Sequence, residues 1–316
     1  MTSPVPTVAI TGATATGKSA LALALAERLG GEIVNADALQ AYRGLDIGTA
    51  KPSPDERRRV PHHLVDILEP DERYSAGEFA RRAAEAIADI RGRGRLPIVV
   101  GGSGLYLRAL FEGISPVPSG DPETREALRR RLEEEGLPAL VAELRRLDPA
   151  TAARLAPGDT QRVLRALEVA QVSGKPLSTW ITQQPFGTQR IAARRVGLTL
   201  PRAILYDRIA RRVARMVQGG WVEEVAGLLA QGVSPGVPAF QAIGYRQIVR
   251  HVQGEWSLEQ AVGETVRETR RFAKRQETWF RKEPDIAWFP AQNDLEDYFS
   301  DVFEHVKQSG LGRAYG

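Results

Sequence analysis

The sequence contains no cysteine, and its four histidines are spread over 316 residues. The absence of cysteine excludes disulfides and thiolate zinc sites, and the histidines (His62, His63, His251 and His305) show no spacing typical of metal ligands. No apolar run reaches about 18 residues, and the first ten residues have neither the basic nor the long apolar part of a signal peptide. We therefore expect a cytoplasmic protein without membrane contact. The composition still permits a hard cation bound by oxygen ligands.

The net charge is only +4, which permits a polyanionic partner without requiring one. Basic residues concentrate near the C-terminus, where residues 267–282 hold seven lysines and arginines against two glutamates. These seven are Arg267, Arg270, Arg271, Lys274, Arg275, Arg281 and Lys282. At helical spacing, positions 267, 271, 274 and 281 form one stripe, about 120° from Phe272 and Trp279. The pattern predicts a helix with a cationic side that faces RNA, and an ordinary amphipathic surface helix is the alternative interpretation.

The first forty residues predict a βαβ unit. A short apolar strand leads through a turn rich in glycine and threonine to a helix of alanine and leucine, which Gly30 and Gly31 close before a second strand. The segment LPIVVGGSGLYLRALFEG repeats the order of strand, glycine turn and helix. We predict an α/β fold with a P-loop NTPase-like parallel sheet flanked by helices, whose ligands bind at the carboxyl ends of the strands.

Residues 116–195 differ in character, since charged helical segments broken by proline and glycine replace the strand patterns. We predict an inserted all-helical lobe there, between core segments 1–115 and 196–316. The strand-like segment ARRVGLTL returns the chain to the core. The rest is predicted to be a helical C-terminal part with breaks at GVSPGVP and KEPDIAWFP.

One segment matches the phosphate-loop pattern GxxxxGK[ST] between the first strand and the first helix. It consists of Gly12, Ala13, Thr14, Ala15, Thr16, Gly17, Lys18 and Ser19. Glycines let the backbone N–H groups turn inward, the lysine neutralises the terminal phosphate, and the serine can hold Mg²⁺. The loop predicts pyrophosphate binding but does not choose between ATP, another nucleotide and a prenyl pyrophosphate.

Asp37 lies where the second predicted strand ends, beside this loop. A carboxylate at the mouth of the sheet suits a Mg²⁺ ligand or a general base equally well. A solvated aspartate that only caps the strand is the third interpretation. The residues alone leave these three open.

The chain resembles the tRNA dimethylallyltransferase family over about residues 7–282. The motifs that carry the resemblance are GATATGKS, NADALQAYRGLDIGTAKP, PHHLVDILEP, YSAGEFARRA, GGSGLYLRAL, GDTQRVLRALEV, FQAIGYRQ and KRQETWFR, in family order. The resemblance implies transfer of a dimethylallyl group from its pyrophosphate to N6 of the adenosine just 3′ of the tRNA anticodon, with Mg²⁺. The cysteine-free C-terminus has no zinc finger, as in bacterial members.

The resemblance also implies roles for four catalytic residues. Asp37 would accept the N6 proton, while Lys18, Ser103 and Arg212, together with Ser19 as the Mg²⁺ ligand, would stabilise the departing pyrophosphate. Helical spacing separates Arg208, Arg212 and Arg215 from the apolar positions 209, 213 and 216, and a solvated charged face is the alternative interpretation for Arg208 and Arg215. The pyrophosphate role of Arg212 comes from the resemblance. Two departures from the family are Ala38, where a serine is usual, and Ser103, where threonine is common.

The residues that would contact tRNA form the largest group implied by the resemblance. They are Asp37, Ala38, Leu39, Gln40, Ser103, Arg125, Gln161, Arg162, Val163, Leu164, Arg165, Ala242, Ile243, Gly244, Tyr245, Arg246, Gln247, Lys274, Arg275, Gln276, Trp279 and Arg281. In this picture the adenosine leaves its stack to reach a channel through the core, and the inserted lobe grips the anticodon stem. We expect a monomer. The competing hypotheses are a P-loop nucleotide kinase and an ATP-dependent RNA-binding factor.

Overall fold

Short apolar segments line up as one parallel sheet in the computed structural model, which describes residues 7–115, 117–118, 120–183, 191–291 and 294–308. Within these ranges the sheet has six strands in the order β3-β2-β4-β1-β5-β6. They are β1 (Thr7–Gly12), β2 (Gly31–Asn35), β3 (His62–His63), β4 (Leu96–Val100), β5 (Ala193–Thr199) and β6 (Ile286–Pro290). Every strand pair is parallel, and the predicted fold class is confirmed.

Helices connect and cover the strands. In chain order they are α1 (Lys18–Leu29), α2 (Pro54–Arg59), α3 (Ala76–Gly92), α4 (Gly104–Glu112), α5 (Pro122–Leu147), α6 (Pro149–Ala152), α7 (Thr160–Ser173), α8 (Leu177–Gln183), α9 (Arg202–Gln218), α10 (Trp221–Ala230), α11 (Tyr245–Val252), α12 (Leu258–Phe280) and α13 (Glu296–Lys307). A 3₁₀ helix spans Pro238–Gln241. None of the helices in the described ranges is both long and apolar enough to cross a membrane.

The central strands are buried along their whole length, as parallel strands covered on both faces should be. All residues of β1, β2 and β4 are buried. One apolar core joins these strands to α1, α9 and α13. A second core packs α9, α10, α11 and α12 against the segment that follows β2. Both cores leave the carboxyl ends of the strands to be covered by loops, which is where the predicted site lies.

Strand β6 corrects the prediction that KEPDIAWFP is a break between helices. Residues 286–290 pair in parallel with β5, from Arg195 opposite Ile286 to Thr199 opposite Pro290. The strand is only five residues long and ends on a proline, a residue tolerated at the edge of a sheet. A segment this short, with partly exposed residues throughout, carries too little apolar periodicity to be recognised from sequence.

The chain divides into two compact units, Met1–Phe111 with Ile191–Gly316, and Glu112–Arg190. The second unit contains helices α5 to α8 and has a small core of its own, which includes Leu140, Leu144 and Leu167. Residues 193–195, which the sequence analysis placed in the inserted lobe, belong to β5. Residues 116, 119 and 184–190 of that predicted lobe lie outside the described residues, and its role in gripping tRNA stays a prediction.

A buried lysine organises the loop between β2 and α2. The Lys51 side chain is 1% exposed, and its Nζ donates to the Tyr42 carbonyl at 2.7 Å and to carboxylate oxygens of Asp46 and Asp66 at 2.6 Å each. Burial alone would raise the pKa of Asp66, but hydrogen bonds from Lys51 and Arg57 outweigh it, and the pKa is lowered. Lys51 therefore fixes residues 42–51, the segment that contains most of the DIGTAKP motif, as part of the fold.

We expect Lys51→Met to lower the free energy of unfolding by about 2 to 3 kcal/mol, because it leaves the Tyr42 carbonyl and Asp46 without this donor and removes one of the two cations that pair with Asp66. The matched control is Arg58→Met, whose ion pair with Asp55 is exposed and should be worth less than about 1 kcal/mol. Urea unfolding at neutral pH measures both. Equal losses in the two variants would show that the buried lysine does not anchor the loop.

Candidate active site

The loop of residues 12–19 turns sharply between β1 and α1. Gly12, Ala15 and Gly17 all have positive φ angles, of 139°, 64° and 95°. Gly17 is the N-cap of α1, where the helix leaves backbone N–H groups without helical partners. Ala15 holds a left-handed conformation that costs free energy for a residue with a Cβ, and such strain tends to occur at functional sites. The loop thus has the geometry of an anion-binding nest.

Lys18 begins α1 and folds back over this loop. Its Nζ donates to the Ala13 carbonyl at 2.6 Å, and Thr16 Oγ1 donates to the same carbonyl at 2.9 Å. Burial and the charge of Arg212 lower the pKa of Lys18 to about 8, although Asp37 opposes the shift. Ser19, the next residue, is exposed at the first turn of the helix.

Asp37 follows β2 and is held by short-range hydrogen bonds. Its backbone N–H donates to Asn35 Oδ1, and the Asn35 side chain donates back to the Asp37 carbonyl, both at 3.0 Å. Asp37 Oδ1 accepts from the Leu39 N–H at 3.0 Å. Among the described residues no group donates a hydrogen bond to Asp37 Oδ2. One oxygen of a well-oriented carboxylate is therefore free to take a proton or to bind a ligand.

Arg212 reaches the loop from α9. Its guanidinium donates to Thr14 Oγ1 and to the Thr49 carbonyl, each at 3.3 Å. Burial lowers the pKa of Arg212, while the Asp37 carboxylate raises it. The predicted two-sided helix is present, since the buried side of α9 carries the apolar positions 209, 213 and 216. Arg212, Lys18 and Asp37 therefore lie within electrostatic reach of one another, at the same edge of the sheet.

Gln276 of α12 ties the 12–19 loop to the loop after β4. Its Oε1 accepts from the Thr14 N–H at 2.8 Å, and its Nε2 donates to the Gly102 carbonyl at 2.9 Å. Neither Gly102 nor Gly104 has room for a side chain, because a Cβ would lie 2.2 Å from Gln276 Nε2 or 2.3 Å from Trp279 Nε1. Ser103, between these glycines, is thus positioned beside the 12–19 loop by the close approach of α12.

Glu224 of α10 holds the DIGTAKP segment from the other side. Its carboxylate accepts from the N–H groups of Asp46 and Ile47 at 2.9 and 2.7 Å, and from the Tyr245 hydroxyl at 2.6 Å. Burial and the charge of Glu224 raise the pKa of Tyr245 far above its usual range, so this hydroxyl remains a donor. The segment so fixed presents the Thr49 carbonyl to Arg212. The arrangement as a whole can hold a diphosphate next to a carboxylate base.

Comparisons with known proteins show the family to which this chain belongs. A family model described as IPP transferase matches residues 40–283, and one described as isopentenyl transferase matches residues 6–66. A tRNA dimethylallyltransferase of Syntrophobacter fumaroxidans is 51% identical over 289 residues, which cover 90% of this chain and 84% of the relative. The chain belongs to the tRNA dimethylallyltransferase family. The Geobacter metallireducens member is 48% identical over 295 residues, with 93% and 96% of the two chains covered.

Solved structures extend the likeness to the fold. The tRNA isopentenylpyrophosphate transferase of Bacillus halodurans matches with a TM-score of 0.71 at 36% identity, covering 98% of each chain. A eukaryotic dimethylallyltransferase described as acting on tRNA matches with a TM-score of 0.79 at 28% identity, covering 96% of this chain and 77% of the other. The identity predicted from the sequence motifs is therefore confirmed.

The dimethylallyltransferase motif QAIGY is largely buried or half-buried in this fold. Tyr245 and Gln247 are buried, and Gln247 Oε1 accepts from the Gly244 N–H at 2.7 Å. Ala242 and Ile243 are half-buried, whereas Arg246 is exposed. After β2, Ala38 and Leu39 are half-buried and Gln40 donates to the carbonyls of Thr49 and Ala50 at 3.3 and 3.2 Å. Contact with tRNA stays a prediction for all of these residues.

The helical unit carries another predicted tRNA-binding group. Arg125 and Arg165 both pair with the buried Glu168 at 2.9 Å, so they also stabilise this unit. Arg162 is exposed and pairs with Asp159 at 2.6 Å. Gln161 is exposed, Leu164 is half-buried and Val163 is buried in the small core. Their roles in holding RNA are likewise untested by the geometry.

The predicted RNA-binding residues of helix α12 fall into two groups, one that faces the protein interior and one that faces solvent. Gln276 and Trp279 turn inward to the loop after β4, as described above. Lys274 and Arg275 are exposed, and Arg281, at the C-cap of the helix, is exposed as well. Arg267 and Arg271, on the same predicted stripe, form ion pairs with Glu264 and Glu268. The cations at the C-terminal end of α12 are thus the less neutralised part of the stripe.

Two residues at this site escaped the sequence analysis. Glu224 lies outside the quoted motifs, and nothing in its local sequence indicates that it binds a loop about 180 residues earlier. Tyr298 of α13 is buried, and a Cβ on Gly17 would lie 3.2 Å from its hydroxyl. The segment Glu296–Lys307 follows the matched family model, which ends at residue 283. Only packing between distant parts of the chain brings Tyr298 to the 12–19 loop.

The lowered pKa of Lys18 predicts a pH limit for anion binding. Below pH about 8 the ammonium is charged, and above it the free protein loses this charge, so affinity for inorganic pyrophosphate should fall by up to about tenfold per pH unit. Calorimetric titrations from pH 6.5 to about pH 9.5 measure the affinity. Pyrophosphate also changes its own protonation with pH. Lys18→Met has no ammonium to lose, so its pH dependence measures that contribution alone. A constant ratio of the two affinities across this range would contradict the assignment.

Proposed function

We propose that this chain transfers the dimethylallyl group from dimethylallyl pyrophosphate to N6 of the adenosine 3′-adjacent to the anticodon in tRNA, releasing pyrophosphate. Membership of the family makes it a prenyltransferase that acts on tRNA. The observation that carries the proposal further is the convergence of Lys18, Arg212 and the free carboxylate oxygen of Asp37 on the edge of the sheet where the 12–19 loop lies.

The 12–19 loop would hold the leaving group. As the bond between the allylic carbon and the pyrophosphate oxygen breaks, the bonding electrons stay on that oxygen and its negative charge increases. Lys18 and Arg212 are placed to stabilise this charge, together with the loop N–H groups and the Ser103 hydroxyl. Because hydrogen bonds already hold both cations before substrate binds, little reorganisation is needed during the reaction.

Asp37 would accept the proton from the nucleophile. An exocyclic amine on an aromatic ring is a weak nucleophile, so loss of its proton must accompany formation of the bond to the allylic carbon. The hydrogen bond from the Leu39 N–H to Oδ1 orients the carboxylate and leaves Oδ2 for the N6 proton. The protonated Asp37 can then return the proton to solvent when the products leave.

Mg²⁺ fits this site through oxygen ligands. The described part of the chain has no cluster of three or more histidine or acidic side chains able to hold a metal ion. Mg²⁺ is commonly held by one or two protein oxygens together with substrate phosphates, and the exposed Ser19 hydroxyl at the start of α1 is such a ligand. Bound there, Mg²⁺ would neutralise charge on the pyrophosphate.

The tRNA would be held outside the catalytic edge. The adenosine must leave its stack to bring N6 to Asp37, and this step needs firm contacts to the rest of the anticodon stem-loop. Exposed Lys274, Arg275 and Arg281 supply positive charge for the phosphates, and the helical unit Glu112–Arg190 would contact the stem. The monomeric state and cytoplasmic location expected from the sequence belong to this proposal.

A direct assay tests the activity. The protein is incubated with Mg²⁺, bulk tRNA and dimethylallyl pyrophosphate labelled in the allyl group, and the RNA is recovered. Label in adenosine 3′ of the anticodon is the expected result. Phosphoryl transfer or hydrolysis that depends on an NTP, without label in RNA, would support the kinase or the ATP-dependent factor instead.

Asp37→Asn should slow the chemical step by about 10²- to 10⁴-fold, because the amide keeps the shape of the carboxylate but accepts no proton. Single-turnover rates with preformed complexes measure this, and tRNA affinity should change by less than about 1 kcal/mol. Asp55→Asn, on the exposed helix α2, is the control. Recovery of the full rate at high Mg²⁺ would make Asp37 a metal ligand. Full activity at ordinary Mg²⁺ would exclude both roles.

Lys274→Ala and Arg275→Ala should each raise the KM for tRNA and reduce the slope of log affinity against log salt by about one, because each removes one phosphate contact. The KM for dimethylallyl pyrophosphate should not change. Arg271→Ala is the matched control, since Arg271 already pairs with Glu268 at 2.8 Å and should alter the slope less. If all three variants keep the wild-type slope, this end of α12 does not contact RNA.

A further inference from the structure

A second cleft opens on the side of the 12–19 loop away from Asp37. It has a volume of about 490 Å³ and lies between the ends of β5 and β6, the start of α9 and the end of α12. Ala13 of the loop forms part of its wall, and Leu198 and Phe280 supply apolar surface. Because all the strands are parallel, the cleft is on the same edge of the sheet as the catalytic residues.

Trp288 of β6 is the main aromatic surface of this cleft. The residue is 41% exposed, which is unusual for an indole that could pack into the core. Its ring rests on the backbone of β5 at Gly197, where a Cβ would lie 2.6 Å from ring atom Cε3. Strand backbone therefore holds the ring in place while part of it faces solvent. A fixed, partly exposed aromatic ring in a cleft is a common platform for an unpaired base.

The charged residues of the cleft suit the remaining parts of a nucleotide. Arg202 and Arg281 line it and are exposed, and neither forms an ion pair with any residue in the described ranges. By contrast, Arg211 on the same helix as Arg202 pairs with Asp207 at 2.8 Å. The half-buried carboxylate of Glu277 also lines the cleft and can accept a hydrogen bond from the exocyclic amine of a base.

We propose that this cleft binds a nucleotide of the tRNA substrate a few positions from the adenosine that is modified. The base stacks on Trp288, and its phosphates contact Arg202 and Arg281. The inference rests on the proposed function, since it names a further subsite for the same RNA. It adds two residues, Arg202 and Trp288, that belong to none of the motifs or predicted tRNA contacts.

The distances across the sheet agree with this arrangement. Strands β2 and β6 are four strand spacings apart, so Asp37 and Trp288 are separated by roughly 19 Å at about 4.8 Å per spacing. That is too far for one nucleotide to use both residues. A single-stranded loop with its bases splayed out can place one base at Asp37 and another at the cleft, and the 12–19 loop lies between them.

The test measures RNA binding without chemistry. Fluorescence anisotropy gives the affinity of labelled anticodon stem-loop RNA for the full chain in the absence of the pyrophosphate substrate. Trp288→Ala should bind about tenfold more weakly or worse, whereas Trp288→Phe keeps an aromatic face and should retain most of the affinity. The control Ile204→Ala removes an apolar side chain that is 39% exposed and does not line this cleft. Arg202→Ala should flatten the salt dependence, with Arg211→Ala as its control.

Abasic substitutions locate the partner base. Removing one base at a time from the loop should weaken binding to the wild-type chain at several positions. At one position near the modified adenosine, the loss should disappear in Trp288→Ala, because the ring that held that base is already gone. Wild-type RNA affinity in Trp288→Ala, or additive losses at every position, would overturn the inference.

Two outcomes separate this inference from the proposed function. If Trp288→Ala binds RNA normally but weakens inorganic pyrophosphate, the cleft belongs to the small substrate and the inference fails while the activity stands. If the wild-type chain transfers no allyl label to tRNA, the proposed function fails, and the pattern of abasic losses still decides whether the cleft holds an RNA base.

Discussion

Two cationic side chains, Lys18 and Arg212, lie half-buried and close to each other, and the rest of the fold must stabilise this arrangement. Burial and the charge of Arg212 both lower the pKa of Lys18, while Asp37 compensates only in part. Positive charge at this edge of the sheet is therefore unfavourable until an anion joins it. In the proposed function a diphosphate would supply the missing negative charge, so the same electrostatics that oppose the empty arrangement would favour the one with ligand.

The ties around this pair explain why so many family motifs have structural rather than chemical duties. Glu224 accepts hydrogen bonds from N–H groups of the DIGTAKP segment and from the Tyr245 hydroxyl. Lys51, in the same segment, pairs with Asp66. Gln276 joins the 12–19 loop to the loop after β4. Each tie uses a buried polar group that is costly to leave unpaired, so the positions of Arg212 and Ser103 follow from an extended network.

The sequence predicts well what local patterns decide. Apolar runs and glycine turns identified the central strands and the 12–19 loop, and helical spacing placed the buried side of α9 correctly. Such local patterns do not predict contacts between segments that are distant in the sequence. The bond between Thr14 and Gln276 joins residues 262 positions apart, and periodicity shows that Gln276 lies on a helix without showing what that helix covers. Strand β6 was missed for a related reason, since pairing with β5 defines it more than its own composition does.

Helix α12 carries side chains that contact the 12–19 loop and, beside them, cations that face solvent. Gln276 accepts a hydrogen bond from an N–H of the 12–19 loop, and its neighbours Lys274 and Arg275 face solvent two residues or fewer away. A rigid helix cannot move one set without the other. If RNA binds Lys274 and Arg275 as proposed and favours one position of α12, thermodynamic reciprocity requires an equal coupling free energy in the affinity of the 12–19 loop for its anion. Under the proposed function, binding of either substrate would thus change the affinity for the other through a single helix.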